Sequence, residues 1–307
     1  MQQFGRTMIS DGNSEARFRH TIDIESKVVS EPSVFAGCSG KILSLNSATQ
    51  QSTQLVTINS AWKAQYAADI GALEVFVLEG ELIVGLKSVA SGSFVAIPMG
   101  VGNIEMRVET STQLFVIYSP HFLPLDYYDG KLYFSDNKDR DWEVTEFPGE
   151  LATNNQLHGV LSQSLRWPDP INNGRHGSMK GLLRLVCIAP GFIGDHRQES
   201  HPGCWEEIFW LTGDFFMPGT GRQAKGSHLV NPPGHIHGPL VSQRGCVMLV
   251  HTDSPAGFEF HDPPVEPAMF ENYLEQSSWL KEATHVRWSD CAEQTMFKTL
   301  TGDELES

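Results

Sequence analysis

The chain has 307 residues, and its 22 Lys+Arg against 37 Asp+Glu give a formal net charge of -15. An excess of acid this large argues against nucleic-acid backbones and anionic membrane surfaces as partners, because both require basic patches. No run approaches the roughly 18 apolar residues of a membrane span.

The N-terminal stretch 1–17 is polar and lacks an apolar signal-peptide core. Cys38, Cys187, Cys204, Cys246 and Cys291 are odd in number, scattered and without a CxxC pair, which predicts reduced thiols in a cytoplasmic protein. Short runs rich in Val, Ile, Phe and Leu then read as strands at 72–86, 93–98 and 112–120. The tract 126–136 reads as a hairpin turning at Asp129-Gly130. Further strands are predicted at 181–190, 206–215 and 245–253. A single helical pattern follows at about 267–283, where Phe270, Tyr273, Leu274 and Leu280 fall roughly on one face. The expectation is an all-β fold of sandwich or barrel type with a short C-terminal helix.

An internal repeat sets the architecture. Gly71–Gly80 aligns with Cys204–Gly213 at an offset of 133, and Gly92–Gly100 aligns with Gly226–Gly234 at an offset of 134. The segments 111–120 and 244–253 continue the register at 133. The chain therefore divides into an N-terminal arm (1–34), a first barrel (35–125), a connecting segment (126–179), a second barrel (180–260) and a helical or irregular tail (261–307).

The second copy carries the chemistry. His201, four residues, Glu206, six residues and Gly213 form one motif. Gly226, five residues, Pro232-Pro233-Gly234, two residues and His237 form the other. Both resemble the two motifs of the cupin superfamily, and the two copies together resemble a bicupin. "EEIFWLTGDF" and "PPGHIHGP" are also similar to the ChrR type of cupin, a metal-binding anti-sigma-factor domain. The resemblance implies two jelly-roll barrels of the double-stranded β-helix type and a metal held by His201, Glu206 and His237. His and Glu side chains on adjacent strands of a narrow barrel can converge on one cation, and imidazole with carboxylate suits Fe(II), Mn(II), Ni(II), Zn(II) or Cu(II).

One departure leaves the fourth ligand open. A typical cupin has histidine two residues before His201, where this chain has Glu199. Strand alternation puts Glu199 on the same face as His201. His196 is the rival, on the opposite parity, and needs an irregularity near Gly194 and Asp195 to reach the ion. Between a carboxylate and an imidazole, the ligand preference leans slightly to His196. In the first copy, Ala68, Leu73 and Asn103 stand where His201, Glu206 and His237 stand in the second, and Lys63 stands where His196 does. One metal per chain is therefore expected, in the second barrel alone. Glu74 and Glu207 coincide in the two copies, which suggests a role for Glu207 apart from the metal, such as an ion pair at the barrel rim.

Most isolated histidines are surface or satisfied core residues; the double motif is what lifts His201 and His237 above that background. Cys204 reads as a small buried thiol more readily than as a ligand. Trp205, Phe209 and Trp210 span both parities of one strand, so they suit either a substrate pocket or packing between barrels. The resemblance implies an enzyme acting on a small oxygenated organic molecule, of Fe(II) dioxygenase type, with Glu207 or His235 as the proton-transfer group. A metal or ligand sensor of ChrR type, and a cupin isomerase, decarboxylase or lyase, are the alternatives. Cupins commonly associate through sheet faces, so a homodimer is expected. Histidine ligands must be neutral to bind, so with an ordinary imidazole pKa of about 6.5 affinity is expected to fall below roughly pH 6.

Overall fold

In the computed structural model the apolar runs become strands, and the breaks between them fall at Gly, Pro and Asn turns. The structure describes residues 17–46, 50–68, 71–120, 131–136, 139–140, 142–144, 160–166, 181–188, 192–193, 198–217, 220–238, 240–242, 244–253 and 257–261. Among these there are 23 strands, two 3-10 turns and no α-helix, so the all-β expectation holds. The expected turn at Asp129-Gly130 and the expected helix at 267–283 lie outside the described residues.

The first copy is built from two sheets. One runs Tyr133–Ser135, Phe94–Ile97, Ala72–Glu79, Thr112–Ser119, Ser52–Ile58, Ser39–Leu45 and Lys27–Val28, and the other runs Trp62–Ala67, Asn103–Val108, Glu81–Val84 and Lys87–Ala90. The expected strand 72–86 is two strands, because Gly80 turns the chain between them. Between the sheets lies an apolar core that includes Phe35, Tyr66, Leu73, Val75, Leu82, Ile97, Met106 and Val116.

In the second copy the larger sheet runs Arg17–His20, Ser227–Asn231, Glu206–Met217, Cys246–Thr252, Leu183–Ile188, Val160–Ser164 and Glu143–Val144. Gly221–Ala224 and Val241–Ser242 pair with the far half of Glu206–Met217. That long strand changes sheet at a bulge between Trp210 and Thr212. A separate pair, Gln198–Ser200 with Glu259–His261, closes one end.

The repeat is written in the strand registers. Leu73 pairs with Ile97 and Tyr118, and Glu206 pairs with Asn231 and Thr252. Glu74 pairs with Ala96 and Ile117, and Glu207 pairs with Val230 and His251. Each pair of the second copy lies 133 or 134 residues beyond its counterpart in the first.

The larger sheets of the two copies pack face to face. One apolar cluster takes Leu43, Leu55, Phe76, Phe94, Phe115 and Ile117 from the first copy and Leu183, Leu185, Phe209, Val247 and Leu249 from the second. The Phe115 and Phe209 rings lie 5.4 Å apart, within the 4.5–7 Å range of favourable aromatic pairs. Alternation along Glu206–Met217 decides which residues face which core. Glu207 and Phe209 turn to the other copy, whereas Ile208 and Trp210 enter the second barrel's own core.

Candidate metal centre

Four acid and imidazole side chains meet inside the second barrel. Glu199 comes from Gln198–Ser200, His201 from the residue after it, Glu206 from the first position of the long strand, and His237 from the turn after Ser227–Asn231. Ligand-type atoms of Glu199, His201 and His237 all lie within 4.8 Å of one another. Glu206 bridges the two imidazoles: its Oε1 is 3.5 Å from His201 Nε2 and its Oε2 is 3.4 Å from His237 Nε2. Glu199 Oε1 stands 3.7 Å from the same His237 nitrogen.

Backbone geometry draws these segments together. Glu199 and His237 form a two-way bridge, with Glu199 N donating to His237 O at 2.8 Å and His237 N donating to Glu199 O at 2.9 Å. Gly234 N donates to His201 O at 3.0 Å. Gly234 of the second motif therefore fastens the His237 turn to the backbone of His201.

Three of the four cluster side chains, His201, Glu206 and His237, are held by a further contact, the arrangement expected of metal ligands. His201 Nδ1 donates to Gly257 O at 2.9 Å and His237 Nδ1 donates to His235 O at 3.1 Å. With Nδ1–H so occupied, each neutral ring turns its Nε2 lone pair to the cluster. Asn231 Nδ2 donates to Glu206 Oε2 at 2.9 Å. The Phe258 ring meets His201 edge-on at 4.7 Å.

Burial and charge pull the site's protonation in opposite directions. Burial lowers the affinity of His201 for a proton, but the Glu206 and Glu199 carboxylates overcome it and raise its pKa to about 9. Glu206, buried, is nonetheless brought down to about 2 by His201, His237 and Asn231. Glu199 is raised, by burial first and by Glu206 among its neighbours. Two carboxylates and two imidazoles confined in one buried space lower their mutual repulsion most directly by sharing a cation. The donor types present, two nitrogens and up to two carboxylates, fit a divalent transition metal.

Glu199, His201, Glu206 and His237 are thus brought together, while His196 lies outside the described residues. His235 is adjacent: half-buried, its ring is parallel to that of His237 at 6.3 Å, and burial, then His237, lowers its pKa. Glu207 is not brought to the cluster, contrary to the expectation of a proton-transfer role. It follows Glu206 in an extended strand, so it points the opposite way, and it is 1% exposed between the two copies. Against that burial, hydrogen bonds from His228 and His251 hold its pKa far below the usual carboxylate range.

Cys204 is buried, and desolvation followed by the Glu206 and Asp253 charges pushes its thiol well up, so it stays protonated. Phe209 packs between the copies and Trp210 in the barrel core. In the first copy Ala68 and Leu73 are packed in the apolar core and Asn103 is exposed. Asn231, Gly257 and Phe258 escape sequence reading. The asparagine beside Pro232 carries no motif of its own, and a carbonyl at Gly257 has no side chain to signal it.

No protein-family model matches the chain, and no curated protein sequence matches it either. The structure is similar to solved ones. A candidate dioxygenase of Nostoc punctiforme aligns with a TM-score of 0.66 at 19% identity over 86% of this chain and 93% of that one. The protein Ylba of E. coli aligns at 0.53 and 11% identity, over 80% and 94%. The oxalate decarboxylase of Lactobacillus farciminis, solved with formate, aligns at 0.50 and 10% identity, over 90% and 95%. These likenesses, with the repeated register, show the fold alone: two related all-β barrels of jelly-roll type in one chain.

Proposed function

We propose that this protein is a metal-dependent cupin enzyme that acts on a small oxygenated organic molecule, with a reaction of the dioxygenase type. The observation that carries the reading is the convergence of Glu199, His201, Glu206 and His237 in the second barrel, with His201, Glu206 and His237 each fixed by a second contact. His201, Glu206 and His237 are the ligands, with Glu199 completing the set if His196 does not. Fe(II) is the favoured ion; Mn, Zn, Ni and Cu share the donor preferences. When bound, such an ion supplies Lewis acidity and, for iron, one-electron chemistry with O2.

The chain's own residues do the remainder. Gly257 O, His235 O and Asn231 hold the ligand atoms in place, so little reorganisation accompanies binding. His235 is half-buried beside His237 and is the group positioned to move a substrate proton. A homodimer and a cytoplasmic setting complete the proposal.

The reading is supported by the Nostoc likeness for fold alone, and by the donor set for chemistry. Protein purified without added metal should contain about one metal per chain, and it should consume O2 with a diketone or a catechol. Metal at one per chain without O2 uptake would favour a decarboxylase, isomerase or lyase. Metal without turnover of any of these substrates would favour the ChrR-like sensor. Metal-free protein that takes up none of the five ions would overturn the proposal.

A further inference from the structure

Directly behind Glu206, on the other face of the same strand, Glu207 gathers four hydrogen bonds. His228 Nε2 donates to its Oε1 at 2.7 Å and His251 Nδ1 donates to its Oε2 at 3.3 Å, from the two strands that flank it. The other two come from the first copy: Ser44 Oγ donates to Oε1 at 3.0 Å and Thr53 Oγ1 donates to Oε2 at 2.8 Å. Glu207, His228 and His251 are each no more than 1% exposed. The carboxylate joins four strands: Ser39–Leu45, Ser52–Ile58, Ser227–Asn231 and Cys246–Thr252. One of them, Ser227–Asn231, ends in Asn231, the residue that holds Glu206.

Interface packing does not by itself require this arrangement. At the equivalent place in the first copy, Phe94 and Ile117 stand where His228 and His251 stand in the second, and the Glu74 carboxylate is met by Arg166 instead. Histidines flank the carboxylate only where the adjacent residue belongs to the metal cluster. A buried charge with four donors has one low-energy position, and moving it would leave it unpaired in a dry interface. The Cα of Glu207 is therefore pinned, and with it the neighbouring Glu206.

We propose that Glu207 is a positioning residue for the metal centre, through which Ser44 and Thr53 of the first barrel hold the strand that presents Glu206. This rests on the reading of Glu199, His201, Glu206 and His237 as a metal site. It gives the first barrel, which lacks the ligand set, a part in metal binding.

The test removes only the first barrel's share of the clasp. Co(II) affinity of a Ser44→Ala/Thr53→Val variant is measured by competition with a chromophoric chelator, together with the visible spectrum of the bound Co(II) and the thermal midpoint. Loss of contacts that support ligands lowers metal affinity by about 10- to 100-fold. A drop of at least tenfold with an altered Co(II) spectrum is expected, and Ser44 with Thr53→Ser, which keeps both hydroxyls, should restore both. A lowered midpoint with wild-type affinity and spectrum would overturn the proposal and leave the clasp as interface glue. Wild-type protein that binds no Co(II) would overturn the metal reading itself and this proposal with it. If the double variant does not fold, Thr53→Val alone, read in the same way, decides.

Discussion

His201 sits under two opposing influences. Burial disfavours its proton, yet Glu206 and Glu199 raise its pKa to about 9. A group whose folded pKa exceeds its unfolded value stabilises the fold below the unfolded value, here about 6.5. That stability is lost as pH rises through the folded value. Glu206 works in the other sense: its pKa of about 2 gives stability that is present above the usual carboxylate range and is lost as pH falls through 2. The metal-free protein should thus lose stability from pH 6.5 to 9, and by a few kcal/mol at most, since one pKa unit is worth about 1.4 kcal/mol. Metal must displace the same proton, so the rise in thermal midpoint on adding Mn(II) should grow over that range. The acid loss of affinity accordingly begins well above the pH 6 that an ordinary imidazole suggests. Melting curves with and without Mn(II) at pH 6, 7.5 and 9 check this, and a metal effect independent of pH would refute it. If the cluster holds the proposed metal, His201→Ala or His237→Ala should reduce metal content from the expected one per chain to none. Asn231→Leu should leave metal binding but weaken it by about 10- to 100-fold, as for other contacts that support ligands. An Asn103 variant should bind as wild type does. Elemental analysis after gel filtration separates the three.

The long strand Glu206–Met217 depends on one glycine. Gly213 has φ +76°, and a Cβ there would lie 1.9 Å from Gly245 O. Gly213 lies just past the bulge where the strand changes sheet, and the neighbouring backbone approaches too closely for any side chain. Gly213→Ala should destabilise the protein by about 2–4 kcal/mol, combining left-handed strain with backbone displacement. Urea titration measures it, and a change below about 0.5 kcal/mol, the level of an ordinary surface substitution, would contradict the account. This glycine was legible in the sequence because its spacing from His201 and Glu206 marks a motif, as Gly80 marks the same break in the first copy. Elements with no such punctuation were less legible. Ser52–Ile58 is almost wholly buried, yet it opens with Ser52, Thr53 and Gln54. Their side chains bond to Glu207, to each other and to Glu31 O, so the polar pattern conceals an interior strand. Parity alone placed Glu199 on the face of His201. The partner that turns Glu199 to the cluster is the backbone of His237, which no side-chain pattern reports. Glu207 misled for a related reason: adjacency in sequence to a cluster residue means, in a strand, opposite faces.

At the scale of the whole molecule, two buried glutamates related by the repeat link the halves, and each is neutralised differently. Glu207 collects neutral and imidazole donors. Glu74 meets a full guanidinium, with Arg166 Nε donating to Oε1 at 2.9 Å and Nη2 donating to Oε2 at 2.8 Å, and both side chains are nearly sealed from solvent. Arg166 follows the strand Val160–Ser164 of the larger second-barrel sheet, whereas Glu74 belongs to the first barrel, so the pair crosses between them. A bidentate pair of this kind adds little net stability over an apolar one, because desolvating both ions opposes their attraction. Breaking it is another matter. Arg166→Ala takes the bidentate guanidinium away from a buried carboxylate, and a loss of about 3–5 kcal/mol is expected. Glu74→Met with Arg166→Met removes both charges and fills the space, so it should recover most of that loss. Urea midpoints of the single and double variants provide the comparison. If the single variant lies within about 1 kcal/mol of wild type, as an exposed pair would, water reaches the interface and the two sheets do not form the dry contact described above.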